Sequence, residues 1–464
     1  MSRLIVISNR VAVPKARGAA GAQGGLAGAL NSALKKNGGI WFGWSGGECE
    51  EYTGDINIRR SADGVTTATM DLAKQDVDEY YNGYANSTLW PLFHYRIDLT
   101  EYDREFGKGY ERTNERFAES VQPLIEPDDM VWVHDYHLIP LGERLRARGI
   151  RNKIGFFLHI PWPPTRLFVS LPFHERLVRT MLHYDIVGFQ NNEWLESFLH
   201  YCRKELGAEV DEDTGRVTLE GRSCIARAYP IGIDYDHFME KGDTGEARNA
   251  QQRMVSSTRR RTAMIGVDRL DYSKGLPERI DGIGRFFDRF PERVRDLVYI
   301  QIAPPSREDI GSYQHIRATL EQKTGQINGA RSEVDLVPIR YVNKGHSQEE
   351  LFGFYRAAKI GLVTPLRDGM NLVAKEYVAA QDPEDPGVLI LSRFAGAAEQ
   401  MQDALLINPH SRDDIAHAIN KALDMPLEER KARYESLIKT VRDDNVIDWT
   451  ENFIGDLEAV VCDD

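Results

Sequence analysis

Two cations and a carboxylate in short turns behind apolar runs, with a second carboxylate two helical turns further on, are the residues best placed to do chemistry. Arg269 and Lys274 lie in Asp268-Arg-Leu-Asp-Tyr-Ser-Lys-Gly275, directly after the apolar run Ala263 to Val267. Fixed cations at a strand end can neutralise a departing diphosphate without a metal ion. Taken alone, they fit solvated surface charges equally well. Asp368 and Glu376 belong to Ile360-Gly-Leu-Val-Thr-Pro-Leu-Arg-Asp-Gly-Met-Asn-Leu-Val-Ala-Lys-Glu-Tyr377, an apolar run that passes through a charged glycine turn into helix-compatible residues. Such a turn leaves free backbone N–H groups at the head of a helix, where an anion is stabilised. One carboxylate could hold a sugar hydroxyl and the other a ribose. In isolation the pair reads more simply as a turn residue and a solvated helix residue.

Further candidates end other expected strands. Arg10 follows Leu4 to Ser8, His134-Asp135-Tyr-His137 follows Met130 to Val133, and Arg307 follows Val298 to Ile302. His159 follows Ile154 to Leu158 and precedes Ile160-Pro-Trp-Pro-Pro164. The histidines beside Asp135 lack a third ligand of suitable spacing, so no zinc site is expected. A lone histidine is more often a satisfied structural residue, and His159 draws interest from its place at a strand end. Asp234-Tyr-Asp236 matches the D-x-D triplet of metal-diphosphate sites, but it opens an expected helix and is read as a cap. Gly18, Gly21, Gly24 and Gly25 lead from the first strand into a helix through Leu26, Leu30 and Leu34, an arrangement that cradles phosphates. The loop is neither a Walker loop nor G-x-G-x-x-G, which disfavours a nicotinamide dehydrogenase. The dense aromatic stretch Tyr80, Tyr81, Tyr84, Trp90, Phe93 and Tyr95 serves either packing or a carbohydrate-phosphate pocket.

These residues need sheets to hold them. From Asp129 to Gln190, strand runs alternate with helices expected at His137 to Arg148 and near Phe173 to Leu182, and Ala226 to Tyr229 closes this half. Lys241 to Gln252 is polar and reads as a linker. A second alternation starts at Thr262, with strands at Ala263 to Val267, Val298 to Ile302, Val337 to Tyr341, Ile360 onward and Val388 to Leu391. Two doubly wound parallel sheets follow, with ligands beyond the carboxyl ends of the strands. Facing sheets would bring Arg10, Asp135, His159, Arg269, Lys274, Arg307, Asp368 and Glu376 to one cleft. In the last helix Trp449, Phe453, Ile454, Leu457, Val460 and Val461 form an apolar stripe that needs a partner surface, and a return to the first half would tie the two together.

A chain of 464 residues suits two or three domains. The formal net charge of −13 disfavours nucleic acid or an anionic membrane as the main partner, so an anionic substrate must meet a local basic pocket. Cys49, Cys202, Cys224 and Cys462 contain no C-x-x-C pair, which argues against a disulfide framework or a thiolate metal site. No apolar run approaches the ~20 residues of a membrane span. A soluble cytoplasmic protein is expected, with homo-oligomerisation left open.

Long matches now accumulate along the chain. They are Ser2-Arg-Leu-Ile-Val-Ile-Ser-Asn-Arg10, Gly24-Gly-Leu-Ala27, Trp41-Phe-Gly-Trp44, Tyr80-Tyr-Asn82, Leu89-Trp-Pro91, His134-Asp-Tyr-His-Leu138, Gly155-Phe-Phe-Leu-His-Ile-Pro161, the stretch from Val267 to Pro277, and Arg367 to Glu376. Through them the chain closely resembles the trehalose-6-phosphate synthases of glycosyltransferase family 20. The resemblance implies an α/β GT-B fold of two Rossmann-like domains. Residues 1–240, with the C-terminal helix at about 446–464 crossing back, would bind the acceptor, and 241–445 the nucleotide sugar. It implies glucosyl transfer from UDP-glucose to the anomeric hydroxyl of glucose 6-phosphate, with retention and with neither metal nor cofactor. On the matching positions, Arg10, Tyr81, Trp90 and Arg307 would grip the acceptor phosphate and Asp135 the acceptor hydroxyls, while His159 would face the transferred glucose. Arg269 and Lys274 would bind the donor diphosphate, Asp368 the glucose hydroxyls and Glu376 the ribose. Gly25 would let the first loop approach the donor, and backbone N–H groups of Met370, Asn371, Leu372 and Val373, behind Gly369, would add bonds to sugar and phosphate.

The expected mechanism uses no protein nucleophile. The leaving phosphate oxygen takes the proton of the incoming hydroxyl on one face of an oxocarbenium-like centre, and Asp135 is the rival for a covalent route. A glycerol 3-phosphate acceptor, an ADP- or GDP-linked donor and a non-catalytic sugar-phosphate sensor stay open, although intact Arg269, Lys274, Asp368 and Glu376 speak against the sensor. The loop Pro14 to Gly24 is expected to order on binding, and the two halves leave no length for an appended phosphatase domain.

Overall fold

Leu4 to Ile7 and Val131 to Val133 are fully buried, as continuous apolar runs are when both faces of a sheet are covered. In the computed structural model, which describes residues 3–11, 30, 34, 38–60, 65–258, 261–306 and 311–460, the two runs pair in parallel, Leu4 opposite Met130 and Ile7 opposite Val133. They lie inside a ten-stranded sheet. Its order is Asn57–Arg60, Thr66–Ala73, Gly39–Cys49, Leu4–Arg10, Met130–His134, Ile154–Phe157, Ile186–Phe189, Arg222–Ala228, Arg216–Leu219 and Glu209–Asp211. Pairing is parallel through the middle and antiparallel at both edges. The chain runs outward from Leu4–Arg10 and returns beside it as Met130–His134, so the strand order reverses between these two. Ligands settle at such a reversal, and Arg10 and Asp135 stand at the two strand ends.

This first compact unit runs to Ile231 and resumes at Val446. Its returning segment is the helix Val446–Ala459. Trp449 and Phe453 pack on Trp132 with ring centroids 4.8 and 4.6 Å away. Gly155 and Gly188 make room for the Phe453 ring, since a Cβ on either would lie 2.5 or 2.9 Å from it. Arg227 and the Tyr229 hydroxyl donate to Asp456 at 2.6 and 2.7 Å. The apolar stripe of the last helix thus finds its partner on the first half.

The second unit, Gly232–Asn445, holds a six-stranded parallel sheet. Its order is Ile339–Val342, Leu297–Ile302, Thr262–Val267, Ile360–Val363, Val388–Ser392 and Leu405–Ile407. Here the reversal falls between Thr262–Val267 and Ile360–Val363. The turns that follow these strands carry Arg269, Lys274 and Asp368.

Several local expectations change. The expected linker at Lys241 to Gln252 is helical, within Tyr235–Gly242 and Gly245–Thr258. Ala247, Ala250 and Met254 are buried on one face of the second helix, and Gly353 admits it so closely that a Cβ there would lie 2.2 Å from the Ala247 carbonyl oxygen. Residues 232–240, expected with the first half, belong to the second unit. The helix expected at His137 to Arg148 is two pieces, Tyr136–Leu138 and Leu141–Ala147, because Pro140 cannot donate to a continuing helix. The aromatic stretch winds partly as a π-helix, Val77–Leu89. The hairpin Glu209–Asp211 and Arg216–Leu219 is too charged to have announced itself. Leu30 and Leu34 are helical and buried, as expected. Gly25, Leu26, Arg307, Val461 and the loop Pro14 to Gly24 lie outside the described residues. Among the described residues no helix is long and apolar enough to cross a membrane.

Candidate functional site

In the first unit the strand end at Asp135 is strained. Its φ of +76° with ψ of 165° is a conformation that costs a non-glycine residue of order 1–3 kcal/mol. Hydrogen bonds hold it there. Its N–H donates to the Phe157 carbonyl at 2.8 Å, and its carboxylate accepts the His159 N–H at 3.2 Å. The ring of His159 stacks on His134 at 5.3 Å, with His159 Nε2 3.1 Å from His134 Nδ1 and the Gln190 amide nitrogen 3.3 Å from His159 Nδ1. Burial drives the His159 imidazole down to about 3, so it is neutral at pH 7.

A row of rings leads away from the same strand ends. The exposed Arg10 guanidinium lies 5.5 Å over Trp44, which packs on Tyr81 at 5.3 Å. Tyr81 stacks on His137 at 5.9 Å, His137 meets Tyr136 at 3.9 Å, and Tyr136 meets the buried Trp90 at 5.6 Å. Gly46 leaves space for Arg10, since a Cβ there would lie 2.2 Å from the guanidinium. One exposed cation against an aromatic wall suits an anionic, sugar-like molecule.

In the second unit Lys274 donates to the Asp368 carboxylate, and both side chains are nearly enclosed, 12% and 14% exposed. Asn371, at φ +78°, donates to the same carboxylate oxygen at 3.0 Å. The turn is pinned from beneath. Gly396 N–H donates to the Asp368 carbonyl at 3.0 Å, Asp368 N–H to Phe394 at 3.2 Å and Ala397 N–H to Met370 at 2.9 Å. A Cβ on Gly396 would sit 1.9 Å from the Gly369 carbonyl oxygen, so only glycine permits this seat. Above it begins the helix Leu372–Ala380, whose first N–H groups lack helical acceptors and carry the positive end of the dipole. Glu376 lies on this helix with the Tyr355 hydroxyl 3.5 Å away, and burial pushes its carboxyl up to about 7. Arg269 stays exposed at its own strand end. A cation and a carboxylate brought together by two adjacent turns, at the head of a helix, can hold the diphosphate and hydroxyls of a nucleotide sugar. Among the described residues, no three or more His, Cys, Asp or Glu side chains are grouped to hold a metal ion.

The sequence model of glycosyltransferase family 20 matches residues 2–459. The chain belongs to glycosyltransferase family 20. It is 47% identical over 460 residues to a trehalose-6-phosphate synthase of Sinorhizobium fredii, covering 99% of both. A UDP-forming alpha,alpha-trehalose-phosphate synthase of Burkholderia xenovorans, solved in complex with glucose-6-phosphate, superposes with a TM-score of 0.95 at 45% identity, covering 99% of this chain and 100% of that one. An E. coli structure solved with UDP-2-fluoro glucose bound gives a TM-score of 0.94 at 40% identity, with 99% and 100% covered. The α/β GT-B class expected from the sequence holds, and the protein is a glycosyltransferase.

In this family-20 chain, Arg10, Tyr81, Trp90, Asp135 and His159 gather in the first unit, and Arg269, Lys274, Asp368, Gly369, Met370, Asn371, Leu372, Val373 and Glu376 in the second. Gly25 and Arg307 lie outside the described residues. Two bland alternatives fall. Glu376 is no solvated helix residue, and Lys274 is no loose surface cation. Asp234 does cap its helix, accepting the His237 N–H at 3.1 Å. Sequence reasoning missed Gln190, Tyr355, Thr364 and Arg279. Arg279 left a signal, a charge on the apolar face of Leu276, Ile280 and Ile283, whereas nothing local marked Gln190.

Proposed function

We propose that this chain transfers glucose from UDP-glucose to glucose 6-phosphate, giving trehalose 6-phosphate and UDP, with retention and without a metal. The observation that carries the reading is the pairing of Lys274 with Asp368 at the strand reversal of the second sheet. It sets a fixed cation for a diphosphate beside an acceptor for sugar hydroxyls. The relatives solved with glucose-6-phosphate and with UDP-2-fluoro glucose support the same pair of substrates.

The bond from the anomeric carbon to the UDP oxygen breaks while the bond to the acceptor hydroxyl forms on the same face. The hydroxyl proton passes to the departing phosphate oxygen, whose charge Arg269 and Lys274 stabilise. Asp368 orients the glucose and Glu376 the ribose. Arg10, Tyr81, Trp90 and Arg307 hold the acceptor phosphate and Asp135 its hydroxyls. His159, neutral and bonded on both ring nitrogens, faces the sugar as a fixed wall and moves no proton. The reaction belongs in the cytoplasm, where nucleotide sugars are made.

Purified protein is incubated with UDP-, ADP- or GDP-glucose and with glucose 6-phosphate or glycerol 3-phosphate, and is scored for nucleotide release and for the anomeric configuration of the product. UDP release with glucose 6-phosphate, unchanged by a chelator, is expected. No release with that pair overturns the reading and returns the sensor. Asp135→Asn is expected to keep residual transfer, and a glucosyl adduct on Asp135 would defeat the scheme without a nucleophile.

A further inference from the structure

Arg279, on the helix Leu276–Arg289 of the second unit, is fully buried and takes no part in the scheme above. Its guanidinium reaches several backbone segments at once. Nε donates to Thr364 Oγ1 at 2.8 Å, and Nη1 donates to Asp268 Oδ2 at 2.7 Å and Gln301 Oε1 at 3.0 Å. Nη2 donates to the Lys274 carbonyl at 3.4 Å. The Gln301 amide nitrogen donates to the carbonyls of Gly266 and Ile302 at 3.2 and 3.0 Å, which turns its oxygen toward Arg279. Gly266 supplies the space, because a Cβ there would lie 2.6 Å from Nη1.

The segments joined in this way are the two turns at the strand reversal. Asp268 and Lys274 belong to the turn after Thr262–Val267, and Thr364 opens the turn that reaches Asp368. Contacts between the turns run over the same ground. The Ser273 carbonyl accepts the N–H groups of Leu366 and Arg367 at 2.8 and 3.3 Å. Gly275, at φ +63°, lets the first turn approach so closely that a Cβ would lie 2.8 Å from the Thr364 carbonyl oxygen. Balancing the Asp268 charge needs only a cation, whereas gripping Thr364, Gln301 and the Lys274 carbonyl together needs the planar fork that lysine lacks.

We propose that Arg279 is a positioning residue for the donor diphosphate, locking the Lys274 turn to the Thr364 turn so that the Lys274 ammonium is held at the place it takes beside Asp368. The proposal rests on reading Lys274 as a donor-binding residue. It predicts a loss confined to ligands that carry a β-phosphate.

The test is calorimetric titration of the full chain and of Arg279→Lys with UDP and with UMP, alongside thermal melting and steady-state kinetics. Arg279→Lys keeps a cation opposite Asp268 and is expected to fold. It should bind UDP about 10- to 100-fold more weakly and UMP within about twofold of the parent, with kcat reduced and KM for glucose 6-phosphate unchanged. Asp268→Asn combined with Arg279→Met removes both buried charges and should show the same selective loss. A folded variant that binds UDP like the parent, or that loses UDP and UMP equally, overturns the proposal. A parent chain that binds UMP as tightly as UDP overturns the donor reading of Lys274, and this inference with it.

Discussion

Gln190 presents its amide nitrogen, not its oxygen, to Nδ1 of His159. Its oxygen accepts the Ile231 N–H at 3.1 Å, which leaves the NH2 group 3.3 Å from the ring. Nδ1 is then the unprotonated nitrogen, and Nε2 carries the hydrogen that it donates to His134 Nδ1 at 3.1 Å. The relay requires neutral rings. Burial supplies that condition, lowering His159 to about 3 and His134 well below the usual histidine range.

Acid should therefore destabilise the protein through this pair. The unfolded chain protonates these histidines near pH 6.5 while the folded chain does not, so the unfolded state binds more protons below that pH. The stability they contribute is complete above pH 6.5 and is lost as pH falls below it, toward 3 for His159, by up to about 1.4 kcal/mol per pH unit for each ring that stays neutral in the folded chain. Urea melts at pH 7, 6 and 5 measure the slope. Gln190→Glu places a carboxylate against Nδ1, raises the His159 pKa and should flatten the slope; an unchanged slope would contradict the relay.

Glu376 should give donor binding a pH dependence near neutrality. Its folded pKa of about 7 lies above the ordinary 4.5, so its contribution to stability is full below pH 4.5 and is lost as pH rises through 7. Only the ionised carboxylate accepts two ribose hydroxyls. KM for UDP-glucose is expected to fall as pH rises from 6 to 8 in the parent and to stay flat in Glu376→Gln, which should also gain stability relative to the parent at pH 8. Donor KM profiles for both proteins decide it.

Lys274→Met removes the ammonium from Asp368 and from the donor phosphate. The expected loss is about 10²–10³-fold in kcat, the range found when one preorganised charge stabiliser is deleted. KM for glucose 6-phosphate should hardly move. Initial rates with each substrate varied in turn would show a loss on the acceptor side if the assignment were mistaken.

Phe453→Ala tests the return of the last helix to the first sheet. The ring fills space left by Gly155 and Gly188 and stacks on Trp132 at 4.6 Å, so truncation should cost about 3–5 kcal/mol. Gly155→Ala forces a Cβ to 2.5 Å from that ring and should destabilise as well. Urea unfolding followed by tryptophan fluorescence reads both, because Trp132 and Trp449 lie 4.8 Å apart at the contact.

Much of the candidate site was legible because it is local. Arg10, Asp135, His159, Arg269 and Asp368 each stand at or just beyond the end of an apolar run, and a run of four to six apolar residues bounded by turn residues fits a strand of a covered sheet. The helix Gly245–Thr258 was hidden for the opposite reason. Its Ala247 and Ala250 stripe is too small to stand out from a polar stretch and acquires meaning only against Gly353, about a hundred residues on.

The sequence by itself determined the α/β alternation, the places of the strand ends and, through long matching stretches, the family. Only the tertiary structure decided which strand ends stand at a reversal, because Leu4 pairs with Met130 through hydrogen bonds that no local pattern encodes. It also decided the states of the side chains. Lys274 meets Asp368 across 94 residues, Glu376 is raised by enclosure near Tyr355, and Arg279 is bound by two turns at once. Charge and protonation depend on which groups surround a side chain and how much water they exclude, and those neighbours are assembled by folding from distant parts of the chain.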